Sequence, residues 1–155
     1  MTLSSIRNLI QEQSGNLFLH SKSKDDSLKE ISEMISLAKK NIDKMEIYTS
    51  LREREAKAST GAEFGVAFPH AYSTKVNETE LFLFISKDGI PFEAFDQLPT
   101  KIFFVILSPK YPKVPKISNL NIIANICRIM KSEVIRNRIL SANNLEEILL
   151  CLEPQ

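Results

Sequence analysis

Residues 101–107 read Lys101-Ile102-Phe103-Phe104-Val105-Ile106-Leu107 and run into Ser108-Pro109. β-Branched and aromatic residues follow one another with no polar face between them, so this run is expected as a strand covered on both sides. Leu81-Phe82-Leu83-Phe84-Ile85 has the same character, Gly65-Val66-Ala67-Phe68 is a shorter version, and Leu17-Phe18-Leu19 suits an edge strand. Ser86-Lys87-Asp88-Gly89 reads as a turn. Outward from these runs the apolar period becomes helical. Leu3, Ile6, Leu9 and Ile10 form one stripe, closed by Gly15; Leu28, Ile31, Met34, Ile35 and Ala38 form a second, behind a capping box of Ser27 and Glu30. Ile42, Met45, Ile47, Tyr48 and Leu51 form a third that ends in Arg52-Glu53-Arg54-Glu55, and the last two helices are expected as an antiparallel pair joined near Asn41. Beyond a loop stiffened by Pro109, Pro112 and Pro115, a long helix carries Ile117, Leu120, Ile123, Ala124, Cys127 and Met130. Short helices follow around Val134–Leu140 and, capped by Asn143 or Asn144, around Leu145–Leu152. Helices, then strands, then helices imply a sheet covered on both faces, an α/β sandwich.

The bulk properties bound what such a domain can do. The chain has 155 residues, 43% apolar and 25% charged, which suits one domain over residues 1–155. Twenty basic against 19 acidic side chains leave a net charge of +1, without the basic footprint that nucleic-acid or anionic-membrane binding requires. No stretch reaches the ~18 apolar residues of a membrane span. Met1–Ser14 lack the basic-then-apolar pattern of a signal peptide, so a cytoplasmic protein is expected. Cys127 and Cys151 have no CxxC spacing and only two histidines to join them, so no zinc site is expected. Neither a phosphate-binding GxxxxGK[ST] nor a GxGxxG occurs, nor a GxSxG elbow.

One segment concentrates the groups that could do chemistry: Arg54-Glu55, then Ser59-Thr60-Gly61, then Gly65-Val66-Ala67-Phe68-Pro69-His70. His70 is expected where an apolar strand ends, accessible and near its ordinary pKa, with Pro69 fixing the backbone that aims it. An imidazole nucleophile beside the planar fork of Arg54 and the hydroxyls of Ser59 and Thr60 is a set that could receive a phosphoryl group. On spacing alone a plainer reading is the commoner one: a polar strand end and a solvated helix-terminal arginine.

The same string resembles the signature of the enzyme IIA domains of the fructose/mannitol class in the bacterial phosphoenolpyruvate-dependent phosphotransferase system, most of all the nitrogen-regulatory IIA proteins. The likeness extends to Ser23-Lys24, to Ser86–Asp96 before the last long strand, to Lys101–Pro109, and to the short helix over Ile135–Ala142. The resemblance implies an α/β/α sandwich of three layers around a mixed sheet. It implies that His70 accepts a phosphoryl group from the phosphocarrier HPr or its nitrogen-branch counterpart, that Arg54 helps bind it, and that sugar-uptake versions pass it to a IIB (EIIB) domain. It implies no metal and no organic cofactor, and a phosphotransferase component rather than a stand-alone enzyme.

Three features depart from the family pattern. Asn119 stands where many members carry a second histidine; it can donate a hydrogen bond to a phosphoryl oxygen or an imidazole, but it carries no proton. The turn Gly61–Gly65 has gained Glu63 and Phe64, and Glu63 is expected to repel an incoming dianion unless it points away. Ala71 replaces the glycine that usually follows the histidine. With no length left for IIB, IIC or HPr-like domains, the regulatory type is favoured over a sugar-specific EIIA, one whose phosphorylation state controls its partners. The alternative of another class is a non-catalytic interaction module built on the same fold. His20, the two cysteines, and Lys110, Lys113 and Lys116 read as strand end, packing and solvated loop. Phe82, Phe84, Phe103 and Phe104 read as core.

Overall fold

Thr100–Pro109 (β4) is the hub of the sheet in the computed structural model, which describes residues 3–11, 17–112 and 119–152. Along one side β4 pairs antiparallel with Glu80–Ile90 (β3), from Glu80↔Leu107 to Ile90↔Thr100. Along the other side it pairs in parallel with two short strands in line: Val66–Ala67 (β1) against Ile102 and Phe103, and His70–Ser73 (β2) against Ile106 to Pro109. The sheet is therefore mixed. Leu17–Leu19 does reach its far edge, but through a single bridge of Phe18 to Ile85 rather than a full strand.

Strict alternation along β3 and β4 feeds two separate cores. Leu81, Leu83, Ile85, Ile102, Phe104 and Ile106 face one layer of helices: Leu3–Leu9 (α1), Asn119–Met130 (α4), Glu133–Ser141 (α5) and Leu145–Cys151 (α6). Phe82, Phe84, Phe103, Val105 and Leu107 face the other layer, Lys24–Ala38 (α2) and Lys44–Lys57 (α3). The result is the three-layer α/β/α sandwich expected from the sequence. Gly15, Pro115 and Ile117 lie outside the described residues.

Two local expectations are corrected. Ser86–Gly89 is not a turn between elements: β3 runs through it to Ile90 with a register irregularity after Ile85. Gly89 makes this kink feasible, with φ +84° and a position where an added Cβ would lie 2.9 Å from Pro99 Cβ. The α2 cap is Ser23, whose side chain accepts from the Asp26 N–H, not Ser27. Glu30 is drawn away from capping: its carboxylate accepts the backbone N–H groups of His20 and Ser21 and the Ser21 hydroxyl. Asn144 caps α6 through the Glu147 N–H.

Candidate phosphoryl-acceptor site

His70 opens a strand rather than closing one. Pro69 interrupts the line between β1 and β2, and β2 then takes up pairing with the second half of β4, His70 beside Ile106 and Tyr72 beside Ser108. Residues two apart on a strand share a face, so Ser108 lies on the His70 side of the sheet. The imidazole Nε2 is 3.0 Å from Ser108 Oγ. Asn119, the first residue of α4, brings its amide nitrogen to 3.1 Å from the same Nε2 and donates to Ser108 Oγ at 3.0 Å. The Tyr72 ring stacks on the imidazole at a centroid distance of 4.4 Å.

These walls leave His70 only 7% exposed, so it is not the accessible, ordinary histidine that its sequence position suggests. Burial lowers its pKa from 6.5 to about 4, and the positive charge of Arg54 pushes in the same direction. The ring is neutral at pH 7. Asn119 Nδ2 can only donate, so its approach to Nε2 suits a neutral ring whose lone pair lies on that nitrogen.

Arg54 belongs to the other helix layer and bears on His70 through its charge. It sits in the last turn of α3, where Nη1 donates to the Ala58 carbonyl at 2.9 Å and complements the helix C-terminus. Ser59 and Thr60 are engaged elsewhere. The Ser59 hydroxyl donates to the Phe92 carbonyl at 2.7 Å and accepts from the Gly61 N–H. The Thr60 hydroxyl and N–H both donate to the buried Glu55 carboxylate, which also pairs with Lys24 at 2.8 Å. They brace the segment between α3 and β1, so any support they give the site is indirect.

Glu63 does not threaten the site. It lines an apolar hollow with Phe64, Phe95, Cys127, Met130 and Lys131, and together with burial it raises the Cys127 thiol pKa. Cys127 lies eight residues along α4 from Asn119, about 12 Å at ~1.5 Å per residue. Phe64 packs beneath the Arg136 guanidinium, 4.6 Å from the ring centroid.

Ser108 and Tyr72 complete the enclosure and were not apparent from the sequence. Ser108 looks like the polar end of an apolar run, and only the register of β2 on β4 turns it toward His70. Among the described residues no group of three or more His, Cys, Asp or Glu side chains is gathered as metal ligands would be, and no helix is long and apolar enough to cross a membrane.

The pattern of the family described as "Phosphoenolpyruvate-dependent sugar phosphotransferase system, EIIA 2" matches residues 8–154. The chain is 32% identical over 99 residues to a PTS system fructose-specific EIIA component of Haloferax volcanii, covering 64% of this chain and 62% of that protein. It spans less than two thirds of the length of the curated relatives it matches. Among solved structures, the nitrogen regulatory protein IIA-Ntr from Neisseria meningitidis superposes with a TM-score of 0.72 at 18% identity, covering 96% of this chain and 94% of that one. Enzyme IIA of mannitol from Escherichia coli, in its complex with phosphorylated enzyme IIB, gives 0.70 at 15% identity, covering 93% and 98%. These two likenesses concern the fold, and they agree with the mixed sheet between two helical layers.

Proposed function

The chain belongs to the EIIA 2 family of the phosphoenolpyruvate-dependent sugar phosphotransferase system, and on that premise we propose that it is a phosphocarrier domain that accepts a phosphoryl group on Nε2 of His70. The observation that carries this reading is the state of that atom. Nε2 belongs to an imidazole kept neutral by burial, and the Asn119 amide stands 3.1 Å away. A nucleophile needs its lone pair, and a pKa near 4 keeps it available across the physiological range.

The donor in this reading is HPr or its nitrogen-branch counterpart. With a phosphoimidazole donor, the old P–N bond breaks and leaves its electron pair on the donor ring, while the Nε2 lone pair makes the new bond. The proton on Nδ1 of His70 stays where it is. Neither ring gains or loses a proton, so a residue that carries none, Asn119, suffices beside the acceptor. Arg54 supplies positive charge and Asn119 a donor to the phosphoryl oxygens.

Phosphorylated His70 then controls which partner binds, since a dianion on this rim changes both charge and hydrogen bonding. A second reading, favoured by the fructose-specific archaeal relative, passes the group on to a IIB domain. In either reading the protein works in the cytoplasm, with Tyr72 and Leu120 exposed beside the site to meet a partner.

The test is transfer from phosphorylated HPr and from its nitrogen-branch counterpart to the wild type and to His70→Ala. Acid-labile label on the wild type alone is the expected result. Label on both would move the acceptor to another residue, and label on neither, with active donors, would leave an interaction module. Adding a purified IIB domain then separates the two branches by whether it drains the label.

A further inference from the structure

We infer that Ser108 is a phosphoryl-binding residue of this site, with a hydroxyl that changes partner when His70 is phosphorylated. The inference rests on the acceptor reading above and deepens it. Nε2, Ser108 Oγ and Asn119 Nδ2 form a triangle with sides of 3.0, 3.0 and 3.1 Å, so each corner is about 60°. The two hydrogens of an amide NH2 diverge by about 120°, so one amide cannot send straight bonds to both other corners. The arrangement that uses every group is a relay: Asn119 donates to Ser108 Oγ, and the Ser108 hydroxyl, its acceptor site filled, donates to the Nε2 lone pair. Ser108 is 3% exposed, so water does not compete for that hydrogen.

The relay has two consequences. In the resting protein the Ser108 hydrogen marks Nε2 as the unprotonated nitrogen and holds the ring in its Nδ1–H tautomer. Once Nε2 forms its bond to phosphorus it has no lone pair left to accept, and the Ser108 hydrogen must find another acceptor. Rotation about the Cα–Cβ and Cβ–Oγ bonds carries it to a phosphoryl oxygen on the same nitrogen, where the bond is charge-assisted and stronger. Ser108 thus opposes transfer slightly before it and stabilises the product after it. Its loss should therefore weaken the phosphorylated state without slowing arrival of the group. A serine that merely satisfied a strand end would affect neither tautomer nor phosphohistidine.

Ser108→Ala and Ser108→Thr test this against the wild type, with folding checked by circular dichroism. Long-range proton–nitrogen NMR reads the His70 tautomer. Phosphoramidate, a small donor that needs no protein partner, makes phospho-His70, whose equilibrium level and lifetime are then measured. We expect the wild type to show one tautomer with the proton on Nδ1. Ser108→Ala should mix the two tautomers and lower the phosphorylated fraction relative to free His70 about three- to tenfold, the scale of a charge-assisted bond less the resting bond it replaces. Ser108→Thr, which keeps the hydroxyl, should restore both. An unchanged tautomer and phosphohistidine level in folded Ser108→Ala would overturn the proposal, as would a folded Ser108→Thr that behaves like Ala. Failure of HPr-type donors alone would count against the partner assignment and leave this test intact.

Discussion

An imidazole with its ordinary pKa near 6.5 is already mostly neutral at pH 7; what burial adds at His70 is independence from pH. Its pKa is lowered to about 4 by loss of solvent first and by Arg54 second, so phosphorylation should run at a constant rate from pH 8 down to about 5 when donor activity is held constant. The same shift makes a statement about stability. The unfolded chain takes up a proton near pH 6.5 and the folded one near 4, so the contribution is fully present above 6.5 and is lost as pH falls toward 4. At ~1.4 kcal/mol per unit this amounts to roughly 3 kcal/mol. Urea unfolding of the wild type and of His70→Gln between pH 7 and 4 should show the variant losing about that much less stability on acidification; parallel slopes would mean the folded histidine titrates normally. His70, Arg54 and Asn119 are singled out by the resemblance to the family pattern, since spacing alone favours a polar strand end and a solvated arginine. Ser108 is not: it is 38 positions from His70 and meets it only through strand register.

Strand boundaries are where the sequence was least legible, because polar residues inside an element look like its end. Ser86-Lys87-Asp88-Gly89 has the composition of a turn, yet the antiparallel pairing of β3 resumes beyond it at Ile90↔Thr100. The Phe68-Pro69 step has the reverse character, a break within an apolar stretch that separates β1 from β2 and sets His70 at the start of a new strand. The long apolar runs and the amphipathic helices were legible, since their periods are fixed by burial on two faces or one. The kink in β3 gives an element-scale prediction. Gly89→Ala must hold a side chain at φ +84° and move Pro99, whose Cβ would lie 2.9 Å from the new methyl group. A loss of about 1–3 kcal/mol is expected from strain and crowding together. Gly89 adjoins the first residue of β4, whereas His70 pairs at Ile106, so phosphorylation of the folded variant should proceed at the wild-type rate. Reduced stability with an unchanged rate is the expected pair of results, and a slowed rate at full folding would show that the kink reaches the site.

The proposed acceptor site draws on both helical layers docked on the one sheet. Asn119 arrives on α4 from one layer and touches His70 at the edge strand β2, while Arg54 on α3 from the other layer acts on it through its charge. That edge is itself closed by α3, whose Ser50 hydroxyl accepts the Tyr72 N–H, which leaves less of it open to another chain. Neighbouring residues of β4 serve opposite cores, Phe103 against α2 and α3 and Phe104 against α4 to α6, and each is buried. Because one strand supplies both cores, neither layer can detach without exposing the other face of the same residues' neighbours. Phe103→Ala and Phe104→Ala should each cost about 3–5 kcal/mol, and each should lower a single shared transition rather than loosen one layer. Methyl NMR signals of Ile31 and Ile126, one on each side, report this in urea. Both should vanish at one midpoint in each variant, together with the capacity to take up phosphate. Separate midpoints would mean that the layers melt independently, and then the loss of Arg54 from one side would disable His70 while Asn119 and Ser108 still held its ring.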